Sequence, residues 1–323
     1  MLVECVANFS EGRRPEVVAA IVEAARAPGV SVLDASADAD HHRSVVTFAG
    51  EGAAVAEGAF RAVAVAVAQI DLRQHRGTHP RIGAADVVPF VPLGDTPMAY
   101  CVALAESVGA RIAAELNVPV YLYGDAARRP ARRELPRVRR GEFEGLRARM
   151  ADPAGRPDFG PAAPHPTAGA VAVGARPALI AFNVWLATPE VSVADAVARA
   201  VRGSSGGLVG VRALPMDTAR RGQMQVSMNL VDFRRTPMPA ALEMVRREAA
   251  RFGVAVAGSE VVGMVPLAAL LASAQYYLQA HELTTAQVLE LQLLDLAAVE
   301  PAAAGERTAD GRRDGGQSAE SGV

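Results

Sequence analysis

Two of the chain's six histidines lie four residues apart in His75-Arg-Gly-Thr-His79-Pro-Arg-Ile-Gly-Ala-Ala-Asp86, which runs into the apolar stretch Val87 to Pro92. Imidazole is the side chain whose ordinary pKa lets it take up and return a proton near neutral pH. Pro80 fixes the backbone immediately after His79, Gly77 and Gly83 permit sharp turns on either side, and the apolar stretch reads as a buried strand that anchors the loop. Held in this way, with Asp38, Asp40 or Asp86 orienting its ring, His79 could act as a general acid and base. The structural alternative is a loop histidine that caps a turn. His75 lies further from the strand and has the weaker claim.

A second polar group, Asp38-Ala-Asp40-His41-His42-Arg43, precedes another apolar run. Its spacing matches no metal-ligand motif, and short Asp-rich turns open strands for backbone reasons alone, so no metal is expected. Arg43 carries a planar fork suited to gripping a carboxylate with two hydrogen bonds. In Asn8-Phe9-Ser10-Glu11-Gly12, amide and hydroxyl groups could face a ligand, or Ser10 could cap the helix that follows. Asn183, Gln225 and Asn229 interrupt apolar strands; buried amides need partners, which a ligand or the backbone could supply. Arg128 to Arg149 contains nine arginines. It reads either as a solvated face or as an attractor of polyanions, and with Phe143 as its lone aromatic it is a poor match to single-stranded nucleic acid.

Composition narrows the chemistry. All 33 basic residues are arginine, so a Schiff-base lysine, a pyridoxal-phosphate lysine and a P-loop lysine are excluded. A formal charge of −2 gives no global basis for a nucleic-acid partner. Cys5 and Cys101 sit in apolar runs without the spacing of a zinc or redox pair and read as buried thiols. No leader or membrane span is evident, which predicts a cytoplasmic protein without a membrane partner.

Elements follow from the apolar periodicity. Strand Leu2 to Phe9, helix Pro15 to Ala27, strands Val30 to Ala35 and Ser44 to Ala49, helix Ala53 to Ile70 and strand Val87 to Val91 make β-α-β-β-α-β. A helix from Met98 to Leu116, with Thr96 as N-cap and Pro97 at its first position, leads to strand Pro119 to Tyr123. The plan repeats in strand Leu179 to Trp185, helix Val193 to Val201, strands Val209 to Leu214 and Gln223 to Leu230, helix Ala240 to Phe252 and strand Val254 to Glu260. The fold class expected is therefore α+β, with two successive ferredoxin-like subdomains and helices packed on sheets. Between the halves, Asp152 to Gly174 is rich in Pro, Gly and Ala and reads as a linker or long functional loop. Helices Leu267 to Leu278 and Thr284 to Leu296 follow. The domain bounds expected are 1–176 and 177–298, with 299–323 a disordered tail.

Glu4-Cys-Val-Ala-Asn8-Phe-Ser-Glu-Gly12, His75-Arg-Gly-Thr-His79-Pro-Arg-Ile-Gly83, Asp158-Phe-Gly-Pro161 and Gly258-Ser-Glu-Val-Val-Gly263-Met-Val-Pro266 occur in order between about Leu2 and Leu278. Together they resemble the glutamate formimidoyltransferase family, which also forms the N-terminal part of formimidoyltransferase-cyclodeaminase. The resemblance implies transfer of a formimidoyl group between N-formimidoyl-L-glutamate and tetrahydrofolate in histidine breakdown. It also implies two ferredoxin-like subdomains with the site between them, and a homodimer. The family's catalytic histidine maps to His79, and its folate-contacting loop to Gly160, Pro161, Ala162, Ala163, Pro164, His165, Pro166, Thr167, Ala168 and Gly169. Substrate contacts are expected from Asn8, Ser10, His41, Arg43, Arg81, Asp86, Asn183, Gln225 and Asn229. Arg43, Arg81 and the arginine-rich segment would hold the carboxylates of glutamate and of the polyglutamyl folate tail.

The cyclodeaminase part has no counterpart here, so a single activity is expected. Three residues depart from the family pattern: Ala7 stands where Pro is usual, His42 where Asn is usual, and Trp185 where Asn is usual. The alternatives are a transferase of the same fold acting on N-formylglutamate or a formylated folate, and a folate-binding module without catalysis.

Overall fold

The structure is a computed structural model that describes residues 1–77, 79–218 and 222–294; the tail expected over 299–323 lies outside the described residues. In β1 (Leu2–Phe9), the alternate residues Val3, Cys5, Ala7 and Phe9 are buried on one side. Helices α1 (Pro15–Ala25) and α2 (Gly52–Gln69) lay Val17, Ile21, Val55, Ala59, Val63 and Ala66 on that side, at spacings of three or four that place them on one helical face. β1 pairs antiparallel with both β3 (Arg43–Glu51) and β4 (Ala85–Pro92), and β2 (Val30–Asp38) pairs with β3. The spatial order β4-β1-β3-β2 with two helices on one face is the ferredoxin-like unit. α2 is long and apolar enough to cross a membrane, yet it is a core helix, packed on β1 between α1 and α3 (Met98–Leu116).

The first sheet extends beyond that unit. β5 (Val120–Gly124) and β6 (Val171–Ala175) add parallel strands to give β2-β3-β1-β4-β6-β5. β6 corrects the reading of Asp152 to Gly174 as linker or loop throughout. All its residues are buried: Val171 and Val173 face the α1–α3 core, and Ala172 faces α4 (Leu135–Val138) and α5 (Glu142–Ala151). A strand covered on both faces carries no polar alternation, and its Ala and Gly resemble loop composition. α4 and α5 lie in the arginine-rich segment. Their Val138, Leu146 and Met150 pack against Val87, Tyr121 and Tyr123, too few apolar residues to show as a period.

Two helix starts also differ from expectation. The N-cap of α1 is Arg14 and not Ser10, whose hydroxyl donates to the Gly83 carbonyl at 2.7 Å. The N-cap of α3 is Pro97, and the Thr96 hydroxyl instead donates to Leu2 O at 2.8 Å, tying the helix entry to β1.

In the second half, β7 (Ile180–Leu186), α6 (Val191–Val201), β8 (Val211–Thr218), β9 (Gln223–Leu230), α7 (Met238–Ala250) and β10 (Val256–Val262) form an antiparallel sheet of order β10-β7-β9-β8. That repeats β4-β1-β3-β2, so the duplication holds at the level of topology. Ile180, Phe182, Val184 and Leu186 are buried on the helix side, which leaves Asn183 and Trp185 on the other.

Met1–Val265 forms one compact unit, and the chain from Pro266 onward forms a second. In the second unit, α8 (Leu267–Leu278) is followed by a turn in which Gln275 donates to Leu283 O at 2.7 Å. The helix expected over Thr284 to Leu296 is broken. A 3-10 turn at Thr285–Gln287 sits under a capping box formed by Thr284 and Gln287, and helix resumes at Leu289.

Candidate active site

At one end of the first sheet, the end of β1, the β2–β3 turn, the segment from Asp71 to Ala84 and the start of α5 come together. Phe9, Ser10, His41, His42, Arg43, His75, His79, Arg81 and Asp86 line a closely packed cleft there. His79 is half-buried, and its Nε2 accepts a hydrogen bond from Nη1 of Arg43. Burial, joined by the charges of Arg43, Arg139 and His41, pushes the His79 imidazole down to about 2, against the opposing pull of the Pro80 backbone. The ring is therefore neutral at physiological pH. Burial and Arg139 lower the Arg43 guanidinium to about 10, with Asp86 acting against them. Nε of Arg43 is buried without a partner among the described residues.

Of the three carboxylates that could orient His79, Asp38, Asp40 and Asp86, the first and last are engaged elsewhere. Asp38 accepts from the amides of Asp40 and His41 at 2.8 and 2.7 Å and pairs with His41 Nδ1 at 3.1 Å. Asp86 accepts from the Ile82 amide at 2.8 Å and pairs with Arg139 at 2.5 Å. The side chain that fixes the His79 ring is a cation.

Behind His79 lies a staple between the two loops. The His42 ring stacks on His75 with centroids 4.2 Å apart and planes 6° from parallel. His75 Nε2 donates to the His42 carbonyl at 2.8 Å, and its Nδ1 accepts from Arg81 Nε at 3.1 Å. Desolvation, with the charges of His42 and Arg81, lowers the His75 pKa, although its bond to the His42 carbonyl and the charge of Glu11 work the other way. His42 itself has φ of +51°, and its two ring nitrogens face Arg76 O at 3.0 Å and Glu11 Oε1 at 3.2 Å. Glu11 gathers three backbone amides, from Gly12, Arg13 and Arg14, at 2.8 to 3.0 Å, and pairs with the Arg14 side chain. Burial raises its pKa, but the amides of Arg13 and Arg14 and the Arg14 guanidinium pull it below the usual carboxylate range. It does at the mouth of α1 the work expected of Ser10.

Arg81 is 8% exposed, and its guanidinium is spent on Glu142 at 2.9 Å, on Glu144 at 2.7 and 2.9 Å and on His75. It anchors α5 to the histidine loop, with its guanidinium engaged by side chains of the protein. Of the nine arginines from Arg128 to Arg149, Arg132 pairs with buried Asp158 at 2.7 Å, Arg139 pairs with Asp86, and Arg149 lies over the Tyr121 ring. These three are turned inward, unlike either reading of the segment. Asn8 is 7% exposed; its Nδ2 donates to Val6 O at 2.9 Å, and its Oδ1 has no partner among the described residues.

The loop Gly160 to Gly169 returns onto the histidine segment. His165 and Gly169 exchange backbone hydrogen bonds at 2.8 and 3.0 Å, and His165 Nδ1 accepts from the Ala168 amide at 3.0 Å. Leu72 N donates to Thr167 O at 2.8 Å, and Ala84 N to Ala168 O at 3.0 Å. Gly160 and Gly169 have φ of +84° and +70°, and a Cβ on Gly169 would lie 2.2 Å from Ile82 O, so this close approach requires glycine. Beside the loop, Leu72, Arg73, His75, Arg76, Gly77, Arg81, Phe143 and Glu144 line a cavity of about 520 Å³. His75 and Arg81 form a wall common to this cavity and the smaller cleft.

On the helix-free face of the second sheet, Asn183 Nδ2 and Gln225 Nε2 both donate to Glu260 Oε1 at 3.1 Å. Asn229, on the same face, is exposed. The partner of the two amides is thus a carboxylate of β10, which lies beside β7 and one strand away from β9, and spacing within one strand could not reveal it.

Two family models cover most of the chain: the formiminotransferase domain, N-terminal subdomain, matches residues 2–176, and the formiminotransferase domain matches residues 181–301. The chain belongs to the formiminotransferase family. Relatives include a protein of Streptococcus pyogenes serotype M1 named glutamate formimidoyltransferase, 44% identical over 91% of this chain and 99% of its own length. Another of that name, from Thermoplasma acidophilum, is 44% identical over 93% of this chain and 99% of its own length. The formimidoyltransferase-cyclodeaminase of Rattus norvegicus is 44% identical over 87% of this chain but only 53% of its own length, so the match takes in about half of that protein.

Proposed function

We propose that this chain is a glutamate formimidoyltransferase, moving a formimidoyl group between N-formimidoyl-L-glutamate and tetrahydrofolate in histidine degradation, with His79 as the acid and base. The observation that carries the site assignment is the neutral His79 ring, held at Nε2 by an arginine in a closely packed polar cleft. The reaction needs one proton moved twice. As the attacking amine of tetrahydrofolate bonds to the formimidoyl carbon, His79 takes its proton; the same proton then goes to the glutamate nitrogen as the carbon–nitrogen bond breaks.

A base near pKa 2 would accept that proton poorly, which assigns Arg43 a second role. A substrate carboxylate arriving at Arg43 would draw the guanidinium from Nε2 and offset its charge, freeing the ring lone pair and raising its basicity. Without a partner among the described residues, Arg43 Nε gives a glutamate-like substrate a donor at the cleft. No covalent intermediate is invoked: Cys5 is fully buried, and burial raises the Cys101 thiol to about 11.

The loop from Gly160 to Gly169 and the larger cavity beside it serve the folate, with Arg73 and Arg76 at the cavity wall for carboxylates of its tail. Cytoplasmic location and a homodimer complete the reading, supported by the resemblance of the sequence to its family. The test compares formimidoyl and formyl donors by the absorbance change of the folate. Transfer from N-formimidoyl-L-glutamate at least tenfold faster than from N-formylglutamate is the expected result. The reverse preference would replace the donor, and binding of folate without turnover from either donor would replace catalysis with a binding role.

A further inference from the structure

Arg43 and Asp86 line the same cleft with opposite charges, yet each turns to another partner. Asp86 is 2% exposed, and both of its oxygens are taken: Oδ1 accepts from the Ile82 amide at 2.8 Å, and Oδ2 accepts from Nε and Nη2 of Arg139 at 2.9 and 2.5 Å. Arg43 turns Nη1 to His79 and leaves Nε buried without a partner among the described residues. The two charges still act on each other across the cleft, since Asp86 raises the Arg43 pKa while Arg139 lowers it.

Arg139 stands at the C-cap of α4, a helix of four residues whose Val138 packs in one apolar cluster with Val87, Tyr121 and Tyr123. The short helix thereby delivers one planar fork to one carboxylate. A carboxylate buried to this degree must be paired or protonated. Of the two arginines that line the cleft, Arg81 is spent on His75, Glu142 and Glu144. Arg43 is therefore the cation that Asp86 would take if Arg139 were lost.

The geometry points to Arg139 as a positioning residue for the transfer: by occupying Asp86 with both arms of its fork, it keeps that carboxylate off Arg43, whose guanidinium stays open to the carboxylate of N-formimidoyl-L-glutamate. Two guanidinium groups serve one protein carboxylate, and the substrate carboxylate completes the balance of charge. The inference rests on the reading of Arg43 given above and adds what keeps that arginine available.

Steady-state transfer would be measured for the full chain, for Arg139→Gln, and for Arg139→Gln combined with Asp86→Asn, whose amide oxygen can still accept from Ile82 although the charge is gone. In Arg139→Gln, Asp86 should capture Arg43. The KM for N-formimidoyl-L-glutamate should then rise about tenfold, the size of one charge-assisted hydrogen bond, with the KM for tetrahydrofolate held within about twofold. The double variant should recover most of that loss, because the carboxylate that competes for Arg43 has been removed. NMR titration of the His79 imidazole reads the same exchange without turnover. Its pKa should rise in Arg139→Gln, as Arg43 leaves Nε2, and return toward the original value in the double variant. Where Arg139→Gln does not fold, Arg139→Lys, a single point contact in place of a fork, should move the same quantities in the same direction by a smaller factor and show the same recovery.

A KM for N-formimidoyl-L-glutamate that does not rise in the folded Arg139 variant would overturn the inference. So would a rise that Asp86→Asn does not recover, which would make the pair a scaffold for the histidine loop. Absence of turnover by the unaltered protein would overturn the transferase reading instead, and the His79 titration would still decide the role of Arg139, so the two failures are distinguishable.

Discussion

His79 is set by its neighbours more than by its own chemistry. Burial and the guanidinium of Arg43 hold it near pKa 2, and Arg43 is the neighbour that a substrate carboxylate can remove. Arg43→Gln should therefore move the His79 titration upward toward its ordinary value while raising the KM for the formimidoyl donor. NMR of the imidazole carbon resonances against pH measures the first and initial rates the second. An unmoved titration would mean that burial alone sets the value. His42 acts at one remove, through the staple it makes with His75, Arg76 and Glu11. His42→Ala should lower kcat by about tenfold or more with little change in either KM, because displacement of a catalytic group by about 1 Å is costly to rate. His42→Asn, which restores a short donor, should recover part of the loss.

Among the elements, the loop from Gly160 to Gly169 is rigid by construction. Its ends are closed by the His165–Gly169 pair, and its backbone is bonded to Leu72 and Ala84 on either side of the histidines. Gly169→Ala places a methyl 2.2 Å from Ile82 O at a left-handed φ of +70°. The cost should be about 1–3 kcal/mol of stability, read by denaturant unfolding, together with a raised KM for tetrahydrofolate. A fully stable variant with unchanged KM would show that the close approach of loop and histidine segment is dispensable. α5 is tied to the same region by Arg81, whose two acidic partners begin that helix.

For the whole molecule, falling pH should weaken the fold before the carboxylates titrate. His79 and His75 have folded pKa values below the ordinary 6.5. Below pH 6.5 the unfolded chain then binds more protons than the folded one, so stability falls as pH falls, for His79 down to about pH 2. Glu11 adds to the same trend at lower pH, since its stabilising contribution is present above its ordinary value and is lost as pH falls through its depressed one. The urea midpoint should drop from pH 7 to pH 5, and His79→Gln should flatten part of that slope; equal slopes would contradict the burial of a neutral ring. With neither cysteine among the residues lining the cleft, the account has transfer proceed directly between the two substrates, both bound at once. Initial-rate plots should then intersect, and parallel lines would require a formimidoyl-enzyme.

The duplicated fold was legible because alternation and helical spacing are local properties of the chain, and both four-stranded units followed from them. β6 was not, because a strand buried on both faces carries no alternation, and α5 was hidden by its arginines. At the site, His79 stood out by residue type and by its turn, but its partner did not. Asp38, Asp40 and Asp86 were the candidate carboxylates; Asp38 and Asp86 are spent on other groups, and the tertiary fold brings Arg43 to the ring. Likewise, the pairing of Asn183 and Gln225 with Glu260 depends on strand register, which no single strand records.

The most direct test of the central claim is a single-turnover measurement of formimidoyl transfer from N-formimidoyl-L-glutamate to tetrahydrofolate by the unaltered chain beside His79→Ala. The account predicts rapid transfer that falls by about 10²-fold or more in the variant, with substrate affinities changed little. Transfer at a similar rate in both would contradict His79 as the group that moves the proton.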